Sequence, residues 1–117
     1  MPYTSEGKNA MLDYLAGIAL YMGLHTAVPS TGTPNEVTGG SPAYARKSNT
    51  YNAAAAGNLD NSNTPVFDVP GGVTITHVGF WSAVSGGTLY AYAAVTNESF
   101  GAQGTYTAVD ADLDLNS

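Results

Sequence analysis

Val73-Thr74-Ile75-Thr76-His77-Val78-Gly79-Phe80-Trp81 is the stretch on which the fold turns. Its β-branched and aromatic content and its alternation read as a strand, with Val73, Ile75, His77 and Trp81 on one face and Thr74, Thr76, Val78 and Phe80 on the other. Phe80 and Trp81 are neighbours, so they face opposite sides, one toward the core and the other available to a neighbour or ligand. Ser85-Gly86-Gly87 then gives a tight hairpin signal, because consecutive glycines accept the positive φ that such turns require. The return strand is Leu89 to Val95, where Leu89, Ala91, Ala93 and Val95 oppose Tyr90 and Tyr92.

Similar short strands flank this hairpin. Val66 to Val69 follows Pro65, which confines its start to an edge or a first position, and Pro70-Gly71-Gly72 turns the chain into Val73. Thr105 to Asp110 reads as a strand continued by Leu113 and Leu115, after a loop over Asn97 to Gly104. Upstream, Leu20, Met22 and Leu24 alternate with Tyr21, Gly23 and His25, and Tyr44 to Tyr51 forms a further strand. Ala53 to Gly57 is read as a turn and Asn58 to Thr64 as polar loop. Residues 1–4 form an arm. A helix follows over about residues 5–18, capped by Thr4 or Ser5 and with Glu6 in its first turn, where the helix dipole favours an acid. Leu12, Leu15 and Ala19 lie beside Met11 and Ile18 on one helical face, and Gly17 ends the helix near Ala16 to Ala19. The expected fold is mainly β, an antiparallel β-sandwich compatible with jelly-roll connectivity, with one N-terminal α-helix and no internal repeat.

The bulk numbers bound the function. A chain of 117 residues is expected to be a single domain over residues 1–117, able to bury roughly 65% of its unfolded surface. It has no Cys, so thiolate chemistry and disulfides are excluded. Neither a secretory pattern nor a long apolar run is present, which gives no membrane segment. A net charge of −6, with Lys8, Arg46 and Lys47 as the cations, argues against a nucleic-acid partner. Charged residues make up 10% of the chain, against about 25% in an ordinary soluble domain. A surface of Gly, Ala, Thr, Ser, Asn and Tyr suits a protein that covers itself with neighbours.

Candidate chemistry is sparse. His25 and His77 lack the third ligand and spacing of a metal site, and no nucleophile motif accompanies them, so no catalytic, cofactor or metal residue is assigned. Asp110-Ala111-Asp112-Leu113-Asp114 opens like a calcium loop but lacks the sixth-position Gly and the closing Glu, and reads better as a strand with solvated carboxylates. Gly71-Gly72 and Gly86-Gly87 precede no phosphate-binding helix and are turns. Tyr90, Tyr92, Tyr106, Phe80 and Trp81 suit either a core, a subunit interface or a sugar-stacking platform. Arg46 and Lys47, the basic pair, offer an ion pair with Glu36 or an Asp, or else an intersubunit contact. The expected interface residues are therefore Arg46, Lys47, Trp81, Tyr90 and Tyr92.

A long loop links the first two strands: Leu24-His25-Thr26-Ala27-Val28-Pro29, then Thr31-Gly32-Thr33-Pro34-Asn35-Glu36-Val37-Thr38-Gly39-Gly40, then Pro42-Ala43-Tyr44-Ala45-Arg46-Lys47. Its turn residues are varied rather than low-complexity, which predicts an ordered loop. The motif residues His25, Thr26, Asn35, Glu36 and Tyr44, the Gly-Gly-Ser-Pro-Ala-Tyr-Ala-Arg-Lys run, and the downstream Val69 to Ser82 and Ser85 to Tyr90 together resemble a family of small virion proteins of tailed bacteriophages. Its members are minor tail or tail-fibre proteins, or decorate the capsid. The resemblance covers most of the chain, with one departure: Val28 stands where the family pattern has an Asp, so any capping or ion-binding role of that Asp is lost here. What the resemblance implies is a non-enzymatic virion component. It would form a homo-oligomer, a trimer by expectation, and dock on a major capsid or tail protein without any cofactor. The alternative is a carbohydrate-binding module that engages a host-surface glycan. The burial of Trp81 discriminates the two, since a buried Trp81 favours the scaffold and a Trp81 exposed in a groove favours sugar.

Overall fold

The computed structural model describes residues 3–108 and the backbone of Leu113 and Asp114. Thr4 caps α1 (Ser5–Ala16), its side chain accepting the Gly7 N–H at 3.1 Å, and Gly17 ends it. Among the described residues eight strands follow: β1 (Tyr21–His25), β2 (Lys47–Ser48), β3 (Asn58–Leu59), β4 (Val66–Val69), β5 (Val73–Trp81), β6 (Leu89–Phe100), β7 (Gly104–Thr107) and β8 (Leu113–Asp114). The principal sheet has the order β2-β1-β5-β6, and β3 with β8 and β4 with β7 form two small sheets. All the pairings are antiparallel. Among the described residues the protein is mainly β, with one helix, as the sequence predicts.

The core lies against one face of the principal sheet. Register sets Met22 beside Phe80 and Leu24 beside Val78, and all four are buried. Leu12 from α1, Leu59 from β3, and Phe67 and Val69 from β4 pack onto them in one cluster. The helix is tied down by polar bonds as well: Asp13 accepts the Ala54 N–H and the Asn9 side chain accepts the Gly57 N–H. Consistent with a lightly amphipathic helix, Leu12 is buried while Met11 and Tyr14 stay exposed.

Several elements depart from the sequence expectation for identifiable reasons. Ile75 shares the core with Val78 and Phe80 instead of facing the other way, because a register shift between Ile75 and His77 changes the phase of the alternation. Phe80 and Trp81 do occupy different surroundings, yet both are buried, since the Leu24–Lys47 loop folds over the second face of the sheet. The strand expected over Tyr44 to Tyr51 contracts to Lys47–Ser48, as Tyr44 and Arg46 turn inward to Glu36 and the chain leaves β1 after Asn49 donates to Leu20. Ala56 and Gly57, with φ of 52° and 76°, form a two-residue turn that brings Asn58 back to Ala55. Leu59, expected in a polar loop, thereby enters the core. β6 runs on to Phe100 and leaves a loop over residues 101–103. Asp110, Asp112 and Leu115, read from sequence as part of a final strand, lie outside the described residues.

Two glycines in the central strands decide how close the loop approaches. Gly23 and Gly79 are register partners on the face opposite the core. A Cβ on Gly79 would overlap the imidazole of His25, and one on Gly23 would come within 3.0 Å of both the Glu36 carboxylate and the Tyr44 hydroxyl. Both neighbours are held by hydrogen bonds and cannot retreat without breaking them. Gly79→Ala is therefore expected to cost about 1–3 kcal/mol, the ordinary range for overpacking a filled site, read as a lowered urea midpoint with an unchanged slope.

Candidate functional site

The motif residues of the long loop converge on this second face. β1 extends past His25 through a bridge to Glu36, and the Val37 N–H donates to Leu24. Within the loop the Thr26 N–H donates to the Asn35 carbonyl at 2.9 Å, and the Asn35 side chain donates to the Val28 carbonyl at 3.2 Å. Asn35 itself sits at φ 52°, a conformation that Asn tolerates better than most residues. The loop tip closes through Ser30 and Thr33, whose side-chain and backbone groups bond each other. So the turn chemistry legible in the sequence folds the loop back and delivers Glu36 beneath the sheet.

Glu36 is the hub. Its Oε2 accepts from Arg46 Nε at 2.8 Å and from the Tyr44 hydroxyl at 2.7 Å, while Oε1 accepts from Arg46 Nη2 at 2.9 Å. This is a two-pronged guanidinium–carboxylate pair, with side-chain exposures of 6% for Arg46 and 16% for Glu36. Arg46 Nη1 also donates to the carbonyls of Ala83 and Gly86, at 2.9 and 2.7 Å, which clamps the β5–β6 turn. The guanidinium lies 3.8 Å above the Trp81 ring, a cation–π contact sheltered from water. Tyr44 passes the network back to the sheet by accepting the Leu24 N–H at 2.9 Å.

Trp81 continues the chain of bonds. Its indole Nε1–H donates to His25 Nε2 at 3.2 Å, and His25 Nδ1 lies 2.8 Å from the Pro34 carbonyl. An indole nitrogen only donates and a carbonyl only accepts, so His25 is neutral with its proton on Nδ1. Burial pushes the His25 pKa down, against the opposing pull of the Pro34 carbonyl and Glu36. Burial by itself would raise the Glu36 pKa, but the hydrogen bonds from Arg46 and Tyr44 outweigh it and hold the carboxyl below its ordinary value. Burial and the neighbouring carboxylate drive the Tyr44 phenol well above its ordinary range. Each group is thus fixed in one protonation state and saturated by its neighbours. The arrangement is a brace.

The expected interface residues separate into two groups. Arg46 and Trp81 are 8% and 2% exposed and find their partners within the brace. The reason is the glycine pair, which lets the loop cover them. Tyr90 and Tyr92, at 45% and 48% exposure, remain outward on β6, and Lys47 is half-buried on β2. His77 meets Tyr92 edge-on with ring centroids 5.9 Å apart, and Thr26 and Asn35 hold the loop together. Among the described residues no group of three or more His, Cys, Asp or Glu is placed to hold a metal ion. The sequence reading did not assign roles to Gly23, Gly79 or the carbonyls of Pro34, Ala83 and Gly86. Glycine inside a strand pattern was the available signal for the first two.

The brace has measurable consequences. Glu36→Gln leaves the Arg46 guanidinium buried without its counter-charge and is expected to cost about 3–5 kcal/mol in urea unfolding, the usual penalty for orphaning one partner of a buried pair. Acidification removes stability in two stages. The depressed His25 pKa means that the unfolded chain takes up a proton the folded chain refuses, so stability present above about pH 6.5 falls as the pH drops below it. The depressed Glu36 pKa adds a second loss as the pH falls below about 4.3. A urea-midpoint series against pH should show both limbs, and His25→Gln should flatten the first.

Comparison with known proteins agrees with the resemblance carried by the loop and hairpin. No curated protein matches the chain, and no solved structure does. A family described as podophage GP4 fiber I protein gp80 matches residues 7–113, a span that holds the whole brace and every strand of the principal sheet. The chain belongs to this podophage fibre family and is a virion component.

Proposed function

We propose that the chain is a non-enzymatic building block of the fibre, one that associates with copies of itself and docks on a major virion protein. The observation that carries this reading is the brace: the motif's ionisable and aromatic side chains are spent on one another, holding a loop rigidly against a sheet. Glu36 has both oxygens engaged and His25 both nitrogens, which leaves neither as a free acid or base. Rigidity of this kind serves a part whose task is to keep its shape under load. The low charge content supports the same reading, since the core of a lasting interface is depleted in charged residues.

The carbohydrate-module reading is weakened by the position of Trp81, which lies beneath Arg46 instead of in an open groove. Stable association of such small domains calls for roughly 1,600 Å² of buried surface in all, and the exposed, uncharged side chains of β6, Tyr90 and Tyr92 among them, offer part of it. The test is the mass of the purified full chain by light scattering across a concentration series. A species at three times the 12.0 kDa of one chain is the expected outcome. A monomer throughout would overturn self-association.

A further inference from the structure

Beyond the brace, the tip of the long loop lies alongside the start of β6, where Thr31 Oγ1 accepts the Leu89 N–H at 3.1 Å. Between this tip and Tyr90 and Tyr92 runs an open groove of about 470 Å³, floored by Leu89 and Ala91. Val28, 57% exposed, immediately precedes Pro29 of the groove lining in the chain. The register pairs Trp81 with Leu89 and Phe80 with Ala91, so Tyr90 is an extra residue in a bulge, a device that re-aims a side chain. Tyr92 is propped by His77, which lowers the entropy lost when its ring is covered.

Charge identifies the occupant. No Asp, Glu, Lys or Arg occurs from Tyr14 to Asn35 or from Val69 to Asn97. These two runs build β1, the loop tip, β5 and β6 as far as Asn97. Of these runs the loop tip and β6 are exposed, and on a chain of net charge −6 that is where two identical copies meet with least repulsion, while a basic partner would find no carboxylate there to pair with. Side chains rather than strand pairing make the contact. β6 ends the principal sheet among the described residues, but register shifts near Tyr90 and between Ala94 and Glu98 divide it into two short regular stretches, Ala91 to Ala94 and Glu98 to Phe100.

We propose that the groove between Pro29–Thr31 and Tyr90–Tyr92 is the seat of contact between copies of this chain, covered by the same uncharged surface of a second copy. This rests on the self-associating reading given above. The experiment compares the full chain with Tyr92→Glu, Tyr92→Lys and an equimolar mixture of the two, by light scattering over a concentration series. Near-UV circular dichroism checks that each variant is folded. Each variant alone should need at least about tenfold more protein to assemble, the effect of one unfavourable contact of about 1.4 kcal/mol, and mixing the opposite charges should restore assembly. Tyr14→Glu, on the exposed side of α1, should assemble like the parent. Val28→Glu repeats the test next to Pro29 should the Tyr92 variants not fold. If the parent assembles and the Tyr92 and Val28 variants match it, the contact lies elsewhere and self-association stands. If the parent is monomeric at every concentration, self-association itself fails. A monomeric parent whose Tyr92 proton resonances shift with an oligosaccharide would assign the groove to sugar, against this proposal.

Discussion

The pairing of Glu36 with Arg46 is the interaction on which the second face of this protein depends. Two charges taken out of water are costly unless every hydrogen-bonding position around them is filled. Here the Tyr44 hydroxyl fills the remaining place on the carboxylate, and the Ala83 and Gly86 carbonyls accept from the guanidinium. The pair also links parts of the chain that secondary structure does not. Glu36 arrives with the loop from β1, Arg46 precedes β2, and the two carbonyls belong to the turn between β5 and β6. One side chain therefore fixes the position of a loop, a strand entry and a hairpin turn at once.

Such a brace needs room, and the central strands make it by omission. Gly23 and Gly79 face each other across β1 and β5 and present bare backbone where other residues would project. The imidazole of His25 lies across one of these gaps, and the Glu36 and Tyr44 oxygens approach the other. On the far side of the same strands Met22, Leu24, Val78 and Phe80 fill the core in the ordinary way. The sheet is thus a partition with two unlike surfaces, one closed by dispersion and apolar burial, the other by a saturated polar network that carries a single face-on cation.

How much of this could be read from the residues alone varies by element. The helix, β4, β5 and the start of β6 follow from periodicity and from Pro and Gly punctuation, because local preference and tertiary demand agree there. The loop's order was legible from its Thr, Asn, Pro and Gly content, and its importance from the resemblance it carries. The ion pair of Glu36 with Arg46 is one of the roles the sequence leaves open to those residues. What local pattern could not convey was the register shift after Ile75, which depends on β6 as a partner, or the burial of Trp81, which depends on a loop returning from far upstream. Leu59 was hidden for a related reason: its polar neighbours masked a two-residue turn set by Ala56 and Gly57. Each of these features is fixed by a partner remote in sequence, and single-residue propensities hold no record of it.

The broken geometry of β6 has a bearing on assembly. An outer strand of twelve residues without Pro or Lys would ordinarily template further strands, one sheet extending into the next. Its two register shifts interrupt that template on either side of Ala91 to Ala94, leaving a segment shorter than the usual strand. A strand approaching this edge thus meets backbone whose phase changes twice. The strand's irregularity works as a stop signal, interrupting the row of backbone groups that a further strand would need.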